Sequence, residues 1–318
     1  MLREPILLAA GNHTVERLVT TLPVSRSVVR RFVGGADAAA AVEVTQRLSE
    51  RGLTVTLDHL GEDTVDATRA AATVRAYLDL LARLEQRGLT GLIDQRPLTA
   101  RSEVSVKLSA VGQALPGDGE RIALDHARTI CAEAARVGAT VTLDMEDHTT
   151  TDPTLGILAR LREDFPATGA VLQAYLRRTE GDCRDLATPG SRVRLCKGAY
   201  NEPASAAFTE RIDVDRSYVR CLNVLMSGGG YPMIATHDPR LIAIAEGRAA
   251  ANGRVPGDFE FQMLYGIRPE EQVRLAAAGH TMRVYVPYGR EWYGYLMRRL
   301  AERPANLTFF ARALLGTK

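Results

Sequence analysis

Eight short apolar runs, each followed by an amphipathic helical stretch, limit what this chain can fold into more than any other feature. The runs are 54–58 (TVTLD), 103–108 (EVSVKL), 139–144 (ATVTLD), 169–174 (GAVLQA), 191–196 (SRVRLC), 231–236 (YPMIAT), 258–262 (DFEFQ) and 282–286 (MRVYV). The stretches 65–86, 120–137 and 205–226 carry the apolar spacing of helices that cover a sheet. Strand–helix alternation implies a parallel sheet. Eight units of roughly 30 residues match the arithmetic of a (β/α)8 barrel. An open doubly wound sheet is the rival, but its glycine-rich phosphate loop is missing, with neither GxGxxG nor GxxxxGK[ST] present. The expected organisation is an N-terminal helical segment over 1–53, then a distorted TIM-type barrel over 54–318. Ala36 to Ser49 reads as a helix that Gly52 stops.

The 318 residues can bury a large core, and a net charge of +2 gives no reason to expect a nucleic-acid partner. The four cysteines, Cys131, Cys183, Cys196 and Cys221, lack CxxC spacing and read as free thiols of a reducing cytoplasm. No window reaches the ~18 uninterrupted apolar residues of a spanning helix, which leaves peripheral membrane contact open. Of the 40 basic residues only Lys107, Lys197 and Lys318 are lysine. Lys107 and Lys197 both end apolar runs, where a compact ammonium is costly unless it is paired or used.

In a barrel, catalytic groups gather where strands pass into the following loops. The strand ends read Asp58, Lys107, Asp144, Gln173, Arg194, Thr236-His237, Gln262 and Tyr285, a polar ring of mixed type. Asp144 opens Asp144-Met145-Glu146-Asp147-His148, an acidic cluster without the ligand spacing of a zinc or calcium site. No metal is expected there; Asp144 should pair with a cation, and Asp147 or Thr149 should cap the next helix. Arg194 and Cys196 share a strand face opposite Leu195. A guanidinium on that face can stabilise developing negative charge or form a salt bridge with Asp144.

After Pro287 a helix is expected through Arg290–Glu302, with Tyr288, Trp292, Tyr295, Arg299 and Glu302 on one face and Arg298 flanking it. Adjacent arginines beside aromatics suit a planar carboxylate bound through two oxygens. Taken alone, the same residues read better as an Arg298–Glu302 pair with core aromatics.

Together, the runs VSVKLS (104–109), LDMED (143–147), VLQAY (171–175), RLCKGAY (194–200), ATH (235–237), FEFQ (259–262), RVYVPYG (283–289) and YLMRRLAE (295–302) resemble the proline dehydrogenase family, in its monofunctional bacterial form. The match spans nearly the whole barrel. The resemblance implies non-covalent FAD, oxidation of L-proline to Δ1-pyrroline-5-carboxylate, and a membrane quinone as electron acceptor. It implies a carboxylate clamp of Lys107, Arg298 and Arg299, and a ring pocket of Tyr200, Leu264, Tyr285 and Asp144. Arg194 would lie beside the flavin N5, and Lys107, Asp144, Arg194 and Tyr285 would be the catalytic set. Met145, Gln173, Cys196, Lys197, Gly198, Thr236, His237, Gln262 and Glu302 would hold the cofactor. Cys196 stands where the family usually has an aliphatic residue, and Asp238 where asparagine is common; Asp238 is expected to cap the helix that follows it. A separate pyrroline-5-carboxylate dehydrogenase is the implied partner for the product.

Two other readings of the strand-end residues remain open. One is a Schiff-base aldolase barrel acting through Lys107 or Lys197. The other is a flavin-binding barrel without activity.

Overall fold

A computed structural model describes Val29, residues 31–93 and residues 98–302, with only the helical backbone given for 298–302. The strands are β1 (Thr54–His59), β2 (Ser102–Val106), β3 (Thr140–Leu143), β4 (Ala170–Gln173), β5 (Arg192–Cys196), β6 (Tyr231–Ala235), β7 (Glu260–Leu264) and β8 (Thr281–Tyr288). They form one parallel sheet in the order β3-β2-β1-β8-β7-β6-β5-β4. Its two edges meet at a single bridge, Thr142 to Gly169, where Gly169 N–H donates to Val141 O at 2.8 Å and Leu143 N–H to Gly169 O at 3.0 Å. The result is a nearly closed barrel, with β3 and β4 at its weakest seam.

The helices are α1 (Ala38–Ser49), α2 (Ala67–Gln86), α3 (Gly119–Val137), α4 (Thr151–Asp164), α5 (Thr179–Leu186), α6 (Arg211–Ser227), α7 (Pro239–Ala251), α8 (Pro269–Ala277) and α9 (Trp292–Glu302). Every expected strand is present within a few residues of its anticipated bounds. α2 shows why these segments become helices. Ala70, Val74, Tyr77, Leu81 and Leu84 fall on one buried face, and the Asp66 carboxylate caps the start by accepting from the Thr68 and Arg69 amides. The Tyr77 hydroxyl then donates to Ser105 O at 2.6 Å and ties the helix to β2. α1 buries Ala41, Val42, Val44 and Leu48 in the same apolar cluster as the strands.

Two expectations about the last unit need correcting. Tyr288 does not share a helix face with Trp292, because β8 runs on to Tyr288 and α9 begins only at Trp292. Pro287 lies inside the strand, opposite Asp58 in the β1 register, beyond the last β7 pairing at Tyr285. A residue lacking an N–H is tolerated where one side of the strand has no partner to receive it.

Alternation divides each strand between two environments. Val55, Leu57, Val104, Val106, Val193, Leu195, Phe261, Met263, Met282 and Val284 pack outward in the apolar cluster shared with the helices. The inward positions are largely polar, unlike the branched apolar layers that usually fill such barrels. Glu103, Arg192, Glu260 and Arg283 are all 0% exposed. Glu103 takes hydrogen bonds from Arg192 and, at 2.8 Å each, from Arg194 and the Thr56 hydroxyl. Arg283 bonds Glu260 at 2.8 Å and also donates to Val55 O and Ala100 O. Burial alone would raise the Glu103 pKa, but Arg192, Arg283 and Arg194 outweigh it and hold the carboxylate ionised.

Removing one member of such a network strands the others without counter-charge. Glu103→Ala should therefore lower the unfolding free energy by about 3–5 kcal/mol, measured by urea denaturation. A loss below about 1 kcal/mol would show that the lumen charges are hydrated or rearrange freely.

Candidate active site

The site lies at the C-terminal end of the barrel, on top of the polar lumen. Arg194 rises from β5 as its centre and is almost fully buried. Its Nε donates to Gln262 Oε1 at 2.6 Å, one Nη to Asp144 at 2.7 Å and Ser105 Oγ at 2.9 Å, and the other Nη to Glu103. The Tyr285 ring stands 5.3 Å from the guanidinium carbon, within cation–π range, and its hydroxyl donates to Asp144 at 2.7 Å. Burial, then the nearby Asp144 and Asp58 charges, raise the Tyr285 pKa well above its usual value, so the hydroxyl remains a donor.

Lys107 follows β2 and enters the same cluster. Its ammonium bonds both Asp58 oxygens, at 2.7 and 2.8 Å, and lies 3.9 Å from Asp144. Burial alone would drive off the proton, but the Asp58 and Asp144 charges reverse the shift and raise the pKa. Lys197 is not part of this cluster. It sits at the mouth beyond β5 and is paired with Asp215 at 2.5 Å and Asp238 at 3.4 Å.

The acidic run after β3 disperses by direction. Asp144 meets Arg194. Asp147 accepts from the Thr149 amide at 2.8 Å and caps the short 3-10 helix His148–Thr150. His148 bonds Glu202. Glu146 receives the Ser109 hydroxyl at 2.5 Å and the Ser109 amide at 3.1 Å. Burial pushes the Glu146 pKa up to about 7, against the pull of those hydrogen bonds and of Lys107.

The remaining expected residues line the β4–β7 side of the mouth. Gln173 Nε2 donates to Glu146 O at 2.8 Å, and Met145 is buried beside it. Cys196 directs its thiol to Leu172 O. Gly198 has φ +105°, and a Cβ there would overlap the Tyr175 ring, so only glycine fits. His237 Nε2 accepts the Leu264 amide at 2.9 Å, which leaves the neutral ring's proton on Nδ1. Thr236 Oγ1 accepts the Asp238 amide at 3.1 Å. Asp238 caps α7 by accepting from Arg240 N at 3.0 Å, as expected. Leu264 stands beside Tyr285 in the β7–β8 register, and Tyr200 lies in the loop after β5. The side chains of Arg298, Arg299 and Glu302 lie outside the described residues, although α9 carries all three at the mouth's end of β8.

Sequence reasoning gave no role to Glu103, Ser105, Glu146 or Asp215, and left Asp58 only as a ring member. The signal for two of them was present: Glu103, Ser105 and Lys107 alternate along one strand, so they share the face that turns inward.

A TIM-type barrel with a buried arginine–carboxylate–tyrosine cluster at its mouth has the architecture of a barrel enzyme. The proline dehydrogenase family profile matches residues 41–312. Proline dehydrogenase 1 of Bacillus subtilis is 36% identical over 315 residues, covering 99% of each chain. The proline dehydrogenase of Deinococcus radiodurans is 38% identical over 315 residues, covering 98% of this chain and 97% of its own. A crystal structure of proline utilization A (PutA) from Bdellovibrio bacteriovorus inactivated by N-propargylglycine superposes with a TM-score of 0.76 at 27% identity. It covers 86% of this chain, which spans 32% of the PutA chain. The chain belongs to the proline dehydrogenase family.

Glu146 offers a test of the site's electrostatics. Its folded pKa of about 7 lies above the ordinary 4.5. The folded state therefore binds the proton more tightly, and stability must fall as pH rises between those values. Relative to Glu146→Gln, the native protein should lose up to about 3 kcal/mol between pH 5 and pH 8, read from denaturant midpoints. Parallel pH profiles for the two proteins would contradict the assignment.

Proposed function

We propose that this chain is an FAD-dependent proline dehydrogenase that oxidises L-proline to Δ1-pyrroline-5-carboxylate and passes the electrons to a quinone. The observation that carries the reading is the single cluster in which Asp144 hydrogen-bonds Arg194 and Tyr285 and forms an ion pair with Lys107, each of the four in a run shared with the family.

The residues present fit a flavin. The mouth from β4 to β7 offers the neutral polar groups Gln173, Thr236, His237 and Gln262, with Arg194 between β5 and β7. In this reading the diphosphate lies against Lys197, Arg240 and the first α7 amides, cations that Asp215 and Asp238 hold in place by ion pairs. The Asp238 charge is countered first by the Arg240 side chain and amide and then by Lys197, and against the opposing effect of burial these hold its pKa low. Met145, Cys196, Gly198 and Glu302 complete the cofactor set in this reading. When bound, FAD supplies the two-electron acceptor for the reaction.

Proline brings a carboxylate, which Arg298, Arg299 and Lys107 clamp in this reading. Lys107 is already engaged by Asp58, so it contributes a fixed, oriented charge and leaves bidentate capture to the arginines. Tyr285, Tyr200 and Leu264 wall the ring. Asp144 orients both Arg194 and the Tyr285 hydroxyl, and so fixes the pocket's edge before substrate arrives. Hydride loss from C5 needs the nitrogen lone pair, so the amine gives up its proton before or during transfer, and activity should rise with pH.

The aldolase reading through Lys107 is disfavoured by the state of that residue, and Lys197 lies outside the cluster, paired with Asp215 and Asp238. A Schiff-base lysine must be available as the free amine, whereas Asp58 and Asp144 hold Lys107 protonated. The product is an imine acid for a separate pyrroline-5-carboxylate dehydrogenase to oxidise. A membrane quinone would require contact from the surface, since no described helix is long and apolar enough to cross a membrane.

Steady-state assays with L-proline and a soluble quinone, with the product identified by mass spectrometry, test this reading. Arg298→Met and Arg299→Met should each raise KM at least about tenfold and leave the flavin bound. Unchanged KM in both variants would remove the clamp, and absence of the pyrroline product from the native enzyme would remove the function.

A further inference from the structure

Tyr200 is carried by a loop without regular structure, between β5 and α6. The β4 loop fastens both ends of this segment. Tyr175 N donates to Lys197 O at 2.9 Å, Arg177 N to Ala206 O at 2.9 Å, and Phe208 N to Tyr175 O at 2.8 Å. Residues 198–205 arch between those points. Within the arch, the Glu202 side chain is only 3% exposed, although it lies at the mouth of the barrel. Its carboxylate accepts the His148 amide at 2.9 Å, contacts the His148 ring at Nδ1, and accepts the Tyr175 hydroxyl at 3.1 Å. Burial and Glu202 raise the pKa of that hydroxyl, and the Tyr200 backbone amide also acts on it, pulling the pKa down against that rise.

A buried carboxylate with three partners on two other loops is costly to arrange and rigid once formed. His148 lies four residues beyond Asp144, and Glu202 two beyond Tyr200. The contact therefore joins the loops after β3, β4 and β5 beside two of the residues assigned to the substrate pocket. Gly198 belongs to the same arrangement, since its missing side chain lets the Tyr175 ring lie against the arch.

We infer that Glu202, His148 and Tyr175 form a clasp that sets the position of Tyr200, and thereby substrate affinity, without touching the reacting atoms. They are positioning residues, and this role rests on the proposed function above. The clasp predicts a separation of effects. With the arch loosened, Tyr200 samples positions away from the ring pocket, so bound proline is weakened. Arg194, Asp144 and Tyr285 are held from the barrel lumen and keep their geometry.

The experiment compares flavin-loaded Glu202→Ala, Glu202→Gln and His148→Ala with the native enzyme, by L-proline kinetics and by amide hydrogen exchange over 198–205. Glu202→Ala should raise KM about tenfold, with kcat within about threefold, and the arch amides should exchange at least about tenfold faster. Glu202→Gln, which can still accept from the His148 amide and the Tyr175 hydroxyl, should recover part of both. His148→Ala removes a half-exposed ring and gives the same pattern should Glu202→Ala fail to fold. KM within about twofold of native, or a loss confined to kcat or to bound flavin, overturns the clasp. The exchange measurement needs no turnover. A native protein inert to proline would refute the function, while unchanged exchange in the variants would refute the clasp.

Discussion

The buried Arg194 guanidinium is the interaction on which the rest of the site depends. A cation at that depth is tolerated only if nearly every N–H finds an acceptor and the charge is balanced nearby. Glu103 balances it from below, Asp144 from the side, and Ser105 and Gln262 take further N–H groups. Each of those partners is held by something else: Glu103 by Arg192 and Thr56, Asp144 by Tyr285 and Ser105, Gln262 by Glu260. The site is thus the upper layer of a charged lumen. A buried network of this kind is weak evidence for stability, but it fixes geometry, because displacing one member exposes several charges at once.

That arrangement bears on catalysis through preorganisation. In the proposed reaction a saturated ring carbon is oxidised, and the substrate must be held closely because its carboxylate and amine are its only strong handles. Lys107, tied to Asp58, and Arg194, tied to Asp144, present fixed positive charge at the mouth before substrate binds. Such groups need little rearrangement during the reaction, which is where electrostatic catalysis gains most.

The fold was legible in the sequence because strand–helix rhythm is a local property that needs no knowledge of contacts. The strand ends named Lys107, Asp144, Arg194 and Tyr285, and those four do meet. What stayed hidden was pairing over long separations. Nothing local indicates that Glu103 lies under Arg194, or that Glu202 reaches back to His148, 54 positions earlier. The end of β8 was misjudged for a related reason. Pro287 reads as a strand terminator, yet the strand continues because its β7 partner has already ended and only β1 pairs it there. The roles of Arg298, Arg299 and Glu302 rest on the sequence resemblance, their side chains lying outside the described residues.

The most direct test of the account is an anaerobic absorbance spectrum of the FAD-loaded protein before and after adding L-proline. Bleaching of the oxidised flavin band is the predicted result, and it reports cofactor, substrate and electron transfer in one observation. A flavin band that proline leaves unchanged, or a protein that takes up no FAD, would contradict it.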